Sequence, residues 1–160
     1  WRLPWIASLA TQRDYGDNTA DYSAPYHLLD LGLGHGPATL HLGVESLGGD
    51  ATRANARFLT PLATLHVFQG WADKFLVTPP QGIEDRYLSV EAAWHGTSGT
   101  LAWHDYRAEA ADRRYGSEWN LSVTHKFGTR YELLGKLADY SSRGFATDTR
   151  KAWLMVTATF

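Results

Sequence analysis

The residues best suited to covalent chemistry lie close together in the chain in two pairs, Ser122 with His125 and His104 with Asp105. A serine hydrolase needs a histidine base within hydrogen-bond reach of the serine hydroxyl. On an extended strand, side chains one or three positions apart point to opposite faces. A His-x-Ser spacing, which would put both groups on one face, is absent from the sequence. The sequence therefore predicts no catalytic residue and no enzyme.

Metal, cofactor and nucleic-acid sites are not indicated either. The chain has no cysteine, which excludes thiolate metal sites and disulfides. Asp14, Asp17 and Asp21 lie in one predicted connection and Asp148 in another, but their spacing is not that of an EF-hand calcium loop. The net charge is -2, and lysine and arginine are scattered along the chain. We expect no metal site, no cofactor and no nucleic-acid partner.

The remaining polar side chains alternate with apolar ones, which is typical of β-strands with two different faces. The alternation is clearest from 117 to 127, where Trp119 and Leu121 face away from Glu118 and Ser122. Such strands suit a sheet that contacts lipid on one side and water on the other.

The C-terminal segment, 150 to 160, has the same alternation and ends on a free aromatic residue, Phe160. Apolar residues at every second position before a terminal aromatic resemble the signal by which bacterial outer-membrane barrels are handed to their assembly machinery. We interpret Phe160 as that assembly signal. The chain also has 7 Trp, 8 Tyr and 6 Phe, which concentrate where a membrane meets water.

The pattern predicts an all-β fold, an antiparallel transmembrane β-barrel segment of eight up-and-down strands. Residues 1 to 160 form one domain, with a long inserted loop at 48 to 85. Tight turns lie near Gly36, at Gly96 to Gly99 and near Gly128. Within the first strand, Pro4 cannot donate to the ladder and prefers an edge or a bulge. The predicted strands are 1 to 10, 25 to 35, 37 to 47, 86 to 95, 99 to 107, 117 to 127, 130 to 140 and 150 to 160.

The alternation also predicts which polar side chains face the lumen. Charges of both signs on an inward face suit a hydrated pore, but a barrel interior must also pair its buried charges. Lys126 with Glu132, and Lys136 with Glu118, could be such structural pairs. The predicted pore-lining residues are Asp30, His41, Glu45, Glu91, His104, Glu118, Lys126, Glu132 and Lys136.

The connection from 48 to 85 is far longer than an ordinary loop, and loops of that size are usually functional. It holds too many apolar residues to lie free in water, so we predict that it folds inward or across the barrel. Its aromatic and charged residues could narrow a channel and stack on sugar rings. Alternatively, its aromatics only anchor the loop to the wall. The candidate constriction residues are Phe68, Trp71, Asp73, Lys74 and Phe75.

Several ordered blocks within residues 50 to 160 resemble a known family. They are Thr60 to Thr64, Phe68 to Phe75, Gly82 to Tyr87, Tyr115 to Ser122 and Asp148 to Lys151. Together they resemble the C-terminal part of the alginate-export-like family of Gram-negative outer-membrane porins. Members of that family are longer and form barrels of about sixteen to eighteen strands around a channel.

The resemblance implies that this chain is the C-terminal half of a larger barrel, completed by a missing N-terminal half or by further chains. Trp1 opens directly in a predicted strand, so we expect a mature product or a fragment. The rival is a complete eight-stranded barrel, whose interior is filled by its own side chains.

The implied function is a porin-type channel of the bacterial outer membrane for passive passage of small polar or sugar-like solutes. A wall for alginate, an anionic polymer, would carry arginine and lysine, whereas the inferred lumen is more acidic than basic. The implied partners are outer-membrane lipid, lipopolysaccharide and the barrel-assembly machinery. The alternative is a closed eight-stranded barrel or barrel segment with a structural or binding role in an envelope complex.

Overall fold

The computed structural model describes residues 1–17, 21–50, 52–53, 55–61 and 69–160. These residues form one antiparallel sheet and no helix, so none of the described segments is a helix able to cross a membrane. The strands are β1 (Trp5–Arg13), β2 (Ser23–His35), β3 (Ala38–Leu47), β4 (Ile83–Trp94), β5 (Thr97–Arg107), β6 (Arg114–Phe127), β7 (Tyr131–Ser142) and β8 (Thr149–Ala158).

The order of the strands in the sheet is their order in the chain, and each strand pairs with the next in antiparallel fashion. The prediction of eight antiparallel up-and-down strands is therefore confirmed. Strands β1 and β8, both fully within the described residues, do not pair with each other, so the sheet is not closed. Each of these two strands leaves one row of backbone groups without a neighbour in the sheet.

Several strands start at other residues than predicted, β1 because of a proline and β4 and β6 because their pairing with neighbouring strands extends further. Strand β1 begins after Pro4, and Arg2 forms only an isolated bridge with Gly34. The carbonyl of Pro4 accepts a hydrogen bond from the Gly32 amide at 2.7 Å, although its nitrogen can donate none. At the other end of the sheet, β4 and β6 start three residues earlier than predicted, at Ile83 and Arg114.

The two ends of the sheet are connected differently. Three tight turns join the strands at one end, which we call the short-turn end. Four longer connections, 14–22, 48–82, 108–113 and 143–148, lie at the opposite, long-loop end. The turn predicted at Gly96 to Gly99 is wrong: His95 and Gly96 form it, with φ of 45° and 75°, and β5 starts at once. Two consecutive left-handed residues match the twist of a hairpin.

The two faces of the sheet carry different residues. We call the face covered by residues 69–76 the inward face and the other the outward face. The outward face exposes large apolar side chains on every strand. Among the described residues, no protein layer packs against this face. Examples, one for each strand in order, are Leu9, Leu31, Leu42, Leu88, Leu101, Leu121, Leu137 and Leu154.

The hydrophobic core lies on the inward face at the long-loop end. There Leu47, Ile83, Tyr106, Tyr115 and Tyr140 are buried beneath the connection between β3 and β4. The core is thus not formed by two packed sheets but by one sheet and the segment that lies on it. This arrangement fixes the position of that segment relative to the polar residues of the inward face.

Candidate functional site

The strand register places all the predicted pore-lining residues on the inward face, because directly opposed residues of neighbouring strands share a face. They do not form one cluster. Asp30, Glu45 and Glu118 are buried near the long-loop end, whereas Glu91 and Lys126 are exposed near the short turns. Of the two predicted pairs, Lys126 and Glu132 lie 3.9 Å apart.

Glu118 of β6 is the group that holds the long connection against the sheet. One of its carboxylate oxygens accepts hydrogen bonds from the backbone amides of Trp71 at 2.6 Å and Ala72 at 2.8 Å. The side-chain amide of Asn120 donates to the same oxygen at 2.6 Å, and its carbonyl accepts from Trp71 at 3.0 Å. Glu118 is fully buried. A buried carboxylate that accepts several N–H groups fixes the backbone that donates them.

Gly70 allows this close approach. A Cβ atom at residue 70 would lie 2.1 Å from the hydroxyl of Tyr106 and 2.6 Å from a carboxylate oxygen of Glu118. Its φ of 81° is also one that residues with a side chain rarely adopt. Beside it, the side-chain amide of Gln69 donates to Glu45 of β3 at 2.7 Å. The segment is therefore tied to β3 and β6 at once.

A second set of contacts ties the segment to the last two strands. Asp73 forms an ion pair with Lys151 of β8 at 2.7 Å. The ammonium group of Lys136, on β7, lies 4.0 Å from the ring centre of Trp71 and 5.5 Å from that of Trp153. These distances suit cation–π attraction, which strengthens as water is excluded. Both lysines of this side of the inward face thus point toward the segment.

Phe75 is the apolar anchor of the segment. Its ring centre lies 4.6 Å from that of Tyr106 and stacks at 5.1 Å on Phe145, from the connection between β7 and β8. It is only 5% exposed. Phe75 therefore packs in the hydrophobic core. Lys74 lies over the ring of Tyr140 at 5.7 Å, and Phe68 lies outside the described residues.

Two histidine–aspartate pairs on the inward face were not anticipated from the sequence. His41 Nδ1 lies 2.7 Å from Asp30, whose other oxygen accepts a hydrogen bond from the Tyr87 hydroxyl at 2.7 Å. His104 Nδ1 lies 2.9 Å from Asp85. The partners are far apart in the chain and meet only across strands. For the first pair, the only signal in the sequence is the strand alternation that places both Asp30 and His41 on the inward face.

Within the part of the chain that the structure describes, the candidate serines and histidines do not meet in the way a hydrolase requires. Ser122 lies on the inward face and His125 on the outward face, where it contacts the Thr97 hydroxyl at 2.7 Å. Ser89 lies opposite His41 in the register. The His41 ring, however, leans toward β2, with Cε1 3.1 Å from the position of a Cβ atom on Gly32.

Two of the acidic residues in the connections accept hydrogen bonds from backbone amides close to them in the chain. Asp14 accepts a hydrogen bond from the Tyr22 amide at 3.2 Å, and Asp148 accepts one from the Ser142 amide at 2.8 Å. Within the described ranges, no three histidine, aspartate or glutamate side chains come together as a metal site would require. These carboxylates therefore shape their own loops.

No protein-family model, curated protein or solved structure matches this chain. The resemblance to alginate-export-like porins is thus carried by the sequence blocks alone. The structural features that bear on the function of this chain are the two faces of the sheet and the segment that covers one of them.

Proposed function

We propose that this sheet is part of a transmembrane β-barrel of the bacterial outer membrane. The barrel is a porin-type channel for passive passage of small polar or sugar-like solutes, as the resemblance to alginate-export-like porins implies. The outward face contacts lipid, the inward face lines the lumen, and residues 69–76 narrow it.

The outward face supports the membrane placement. Leu42 is 62% exposed, Leu154 78% and Val156 68%, although they lie on regular strands where a water-soluble sheet would be covered. Isolated exposed leucines are common, but here every strand contributes them to one face. A continuous apolar face of this kind is stable when hydrocarbon replaces water as its solvent.

The covering segment supports the channel and carries the proposal. Its contacts with Glu118, Glu45 and Lys151 place it on the face opposite the apolar one. Polar groups on that face are held by hydrogen bonds and ion pairs rather than by apolar packing alone. A segment fixed in this way inside a barrel narrows the lumen.

The unpaired edges of β1 and β8 support completion of the barrel by additional strands. Backbone N–H and C=O groups cannot remain unsatisfied in hydrocarbon, so open edges do not face lipid. Further strands, from another chain or from a longer form of this one, complete the wall. The same edges also favour the second candidate function, a barrel segment with a structural role in an envelope complex.

Two neighbouring residues of β6 provide the test of the membrane placement. Leu121 faces outward and Ser122 inward at the same depth. Leu121→Arg puts a charge in lipid and should lower folding stability in a bilayer by about 2–4 kcal/mol. Ser122→Arg, the matched control, should have a much smaller effect because it faces water. The measurement is urea unfolding from vesicles, and equal effects of the two variants contradict the proposal.

Single-channel recording of the barrel, assembled with the strands that complete its wall, provides the test of transport. Trp71→Ala removes the aromatic ring that lies against Lys136 and should raise the conductance, since the segment then occupies less of the lumen. Trp94→Ala, on the outward face, is the matched control and should leave conductance unchanged. Unchanged conductance for Trp71→Ala refutes the constriction. Intact membrane insertion without any channel activity favours the structural role.

A further inference from the structure

The outward face has a feature that transport does not explain, a group of three arginines where its apolar surface ends at the long-loop end. Arg86, Arg107 and Arg114 lie on the adjacent strands β4, β5 and β6. We call them the arginine cluster. Their side chains are 53%, 41% and 45% exposed.

A buried carboxylate holds two of the three arginines together. Asp105, opposite Arg86 in the register, is 3% exposed. One of its oxygens accepts from Arg107 Nε at 2.8 Å, and the other accepts from Arg114. Arg86 pairs with Glu84 at 2.6 Å. Three guanidinium groups thus share two carboxylates, and each guanidinium has five N–H donors, so donors remain for an additional anion.

An apolar groove begins directly beside the arginine cluster. Trp119, opposite Trp103, lies in the next outward row after Asp105, about 7 Å along the strands. From there a cavity of about 350 Å³ runs across the outward face between β5 and β8. Its outward-facing apolar lining consists of Leu101, Trp119, Leu121, Leu137 and Ala152.

The groove is shaped by a difference in side-chain size. Ala152 lies opposite Leu137 and has only a methyl group where its neighbours on the same row have isobutyl groups. Arg150, paired with Asp139 at 3.0 Å, stands at the far rim. The surface is therefore apolar along its floor, with the arginine cluster at one end and an ion pair at the other.

We propose that the arginine cluster and the apolar groove together bind one anionic lipid that carries phosphate in its headgroup. The cluster binds the phosphate and the groove holds one acyl chain. This inference rests on the membrane placement in the proposed function and deepens it by naming the lipid class and the residues. Guanidinium groups form paired, charge-assisted hydrogen bonds with phosphate, whereas the groove recognises no charge.

Native mass spectrometry of the whole chain in a zwitterionic detergent, with dioctanoyl phosphatidylglycerol as the probe, provides the test. Dioctanoyl phosphatidylcholine and inorganic phosphate serve as the comparison ligands. Phosphatidylglycerol should bind more tightly than either. Arg107→Gln combined with Arg114→Gln should weaken its binding about ten-fold and leave that of phosphatidylcholine unchanged.

Three further variants separate the two parts of the site from general charge effects. Ala152→Phe fills the groove and should weaken both lipids alike. Arg86→Gln leaves both partners of Asp105 in place and should weaken phosphatidylglycerol alone, which covers the case in which the double variant fails to fold. Arg13→Gln combined with Arg143→Gln removes two exposed charges elsewhere at the long-loop end and should change nothing.

The outcomes distinguish this inference from the proposed function. Flotation of the chain with phosphatidylcholine vesicles first establishes the membrane placement, and failure to float overturns both proposals. Flotation without preference for phosphatidylglycerol, or a preference that survives the arginine variants, overturns the lipid site alone. Equal binding of inorganic phosphate overturns it as well, because the groove then has no role.

Discussion

The two ends of the inward face have the same strand geometry but differ in how much of their side chains is exposed to solvent. At the long-loop end, Tyr106, Tyr140 and Glu118 are buried under residues 69–76. At the short-turn end, Glu91 is exposed, and the side chains of Lys126 and Glu132 are 66% and 37% exposed. The difference lies in what covers each end and not in the strands.

This comparison teaches that a single sheet face can be both a protein core and a hydrated wall. Where the segment lies on the face, each polar group needs a specific partner, since burial without one costs free energy. Where no segment lies on it, water satisfies the same kinds of groups. Substitutions at the covered end should therefore cost much more than matched ones at the open end.

The largest effect is expected for Phe75→Ala. Its ring fills the core between Tyr106 and Phe145, and removing it should reduce the free energy of unfolding by about 3 kcal/mol. Met155→Ala, at an exposed position of the inward face near the short-turn end, is the matched control and should cost less than about 1 kcal/mol. Urea unfolding followed by tryptophan fluorescence measures both. Similar losses would mean that the two ends do not differ.

The next effect is expected for Glu118→Ala. The change removes the acceptor that the Trp71 and Ala72 amides share. Asn120 still accepts from Trp71, but the buried Ala72 amide loses its partner, which should cost about 2 kcal/mol. It should also make the chain near Trp71 sensitive to protease, because the segment is no longer held. Glu91→Ala removes an exposed carboxylate from the same face and should do neither. A protease-resistant Glu118→Ala variant would mean that Glu118 does not hold residues 69–76 against the sheet.

A smaller effect is expected for Asp73→Asn. Asparagine tolerates the φ of 58° at this position, so the change mainly removes the charge that pairs with Lys151. Because Lys151 is partly exposed, the loss should be about 1 kcal/mol or less. Part of the wild-type advantage should disappear at high salt. A loss that is independent of salt would instead indicate a packing effect.

The smallest effect is expected for Lys126→Met, at the open end. Its nitrogen lies 3.9 Å from Glu132, and both side chains are solvated. Such a pair contributes at most about 0.5 kcal/mol, so the urea midpoint should hardly move. Lys151→Met, at the covered end, provides the comparison. A larger loss for Lys126→Met than for Lys151→Met would reverse the expected order of the two ends.

Much of the strand pattern could be predicted because it depends on local periodicity. The alternation of Trp119 and Leu121 with Glu118 and Ser122 assigns each side chain to a face before any pairing is known. The end of a strand is less local. The first strand starts only at Trp5, since Pro4 cannot donate, and it extends to Arg13 by pairing with β2. The turn between β4 and β5 lies at His95 and Gly96, which both adopt a left-handed φ.

The candidate site was predictable only in part, for a similar reason. The alternation of side chains along the strands places Glu118, Lys136 and His41 on the inward face. No spacing in the chain, however, indicates that Trp71 would contact Glu118. The two residues are separated by two complete strands. Their contact depends on where the connection between β3 and β4 falls on the finished sheet.

The sequence by itself determined the strands, their order and the division of side chains between an apolar and a polar face, since these follow from a two-residue period and short turns. Only the tertiary structure decided that the sheet stays open between β1 and β8 and that residues 69–76 lie on the inward face. It also decided that Asp105 gathers arginines at the end of the apolar surface. These features join residues distant in the chain, and only the folded arrangement brings them together.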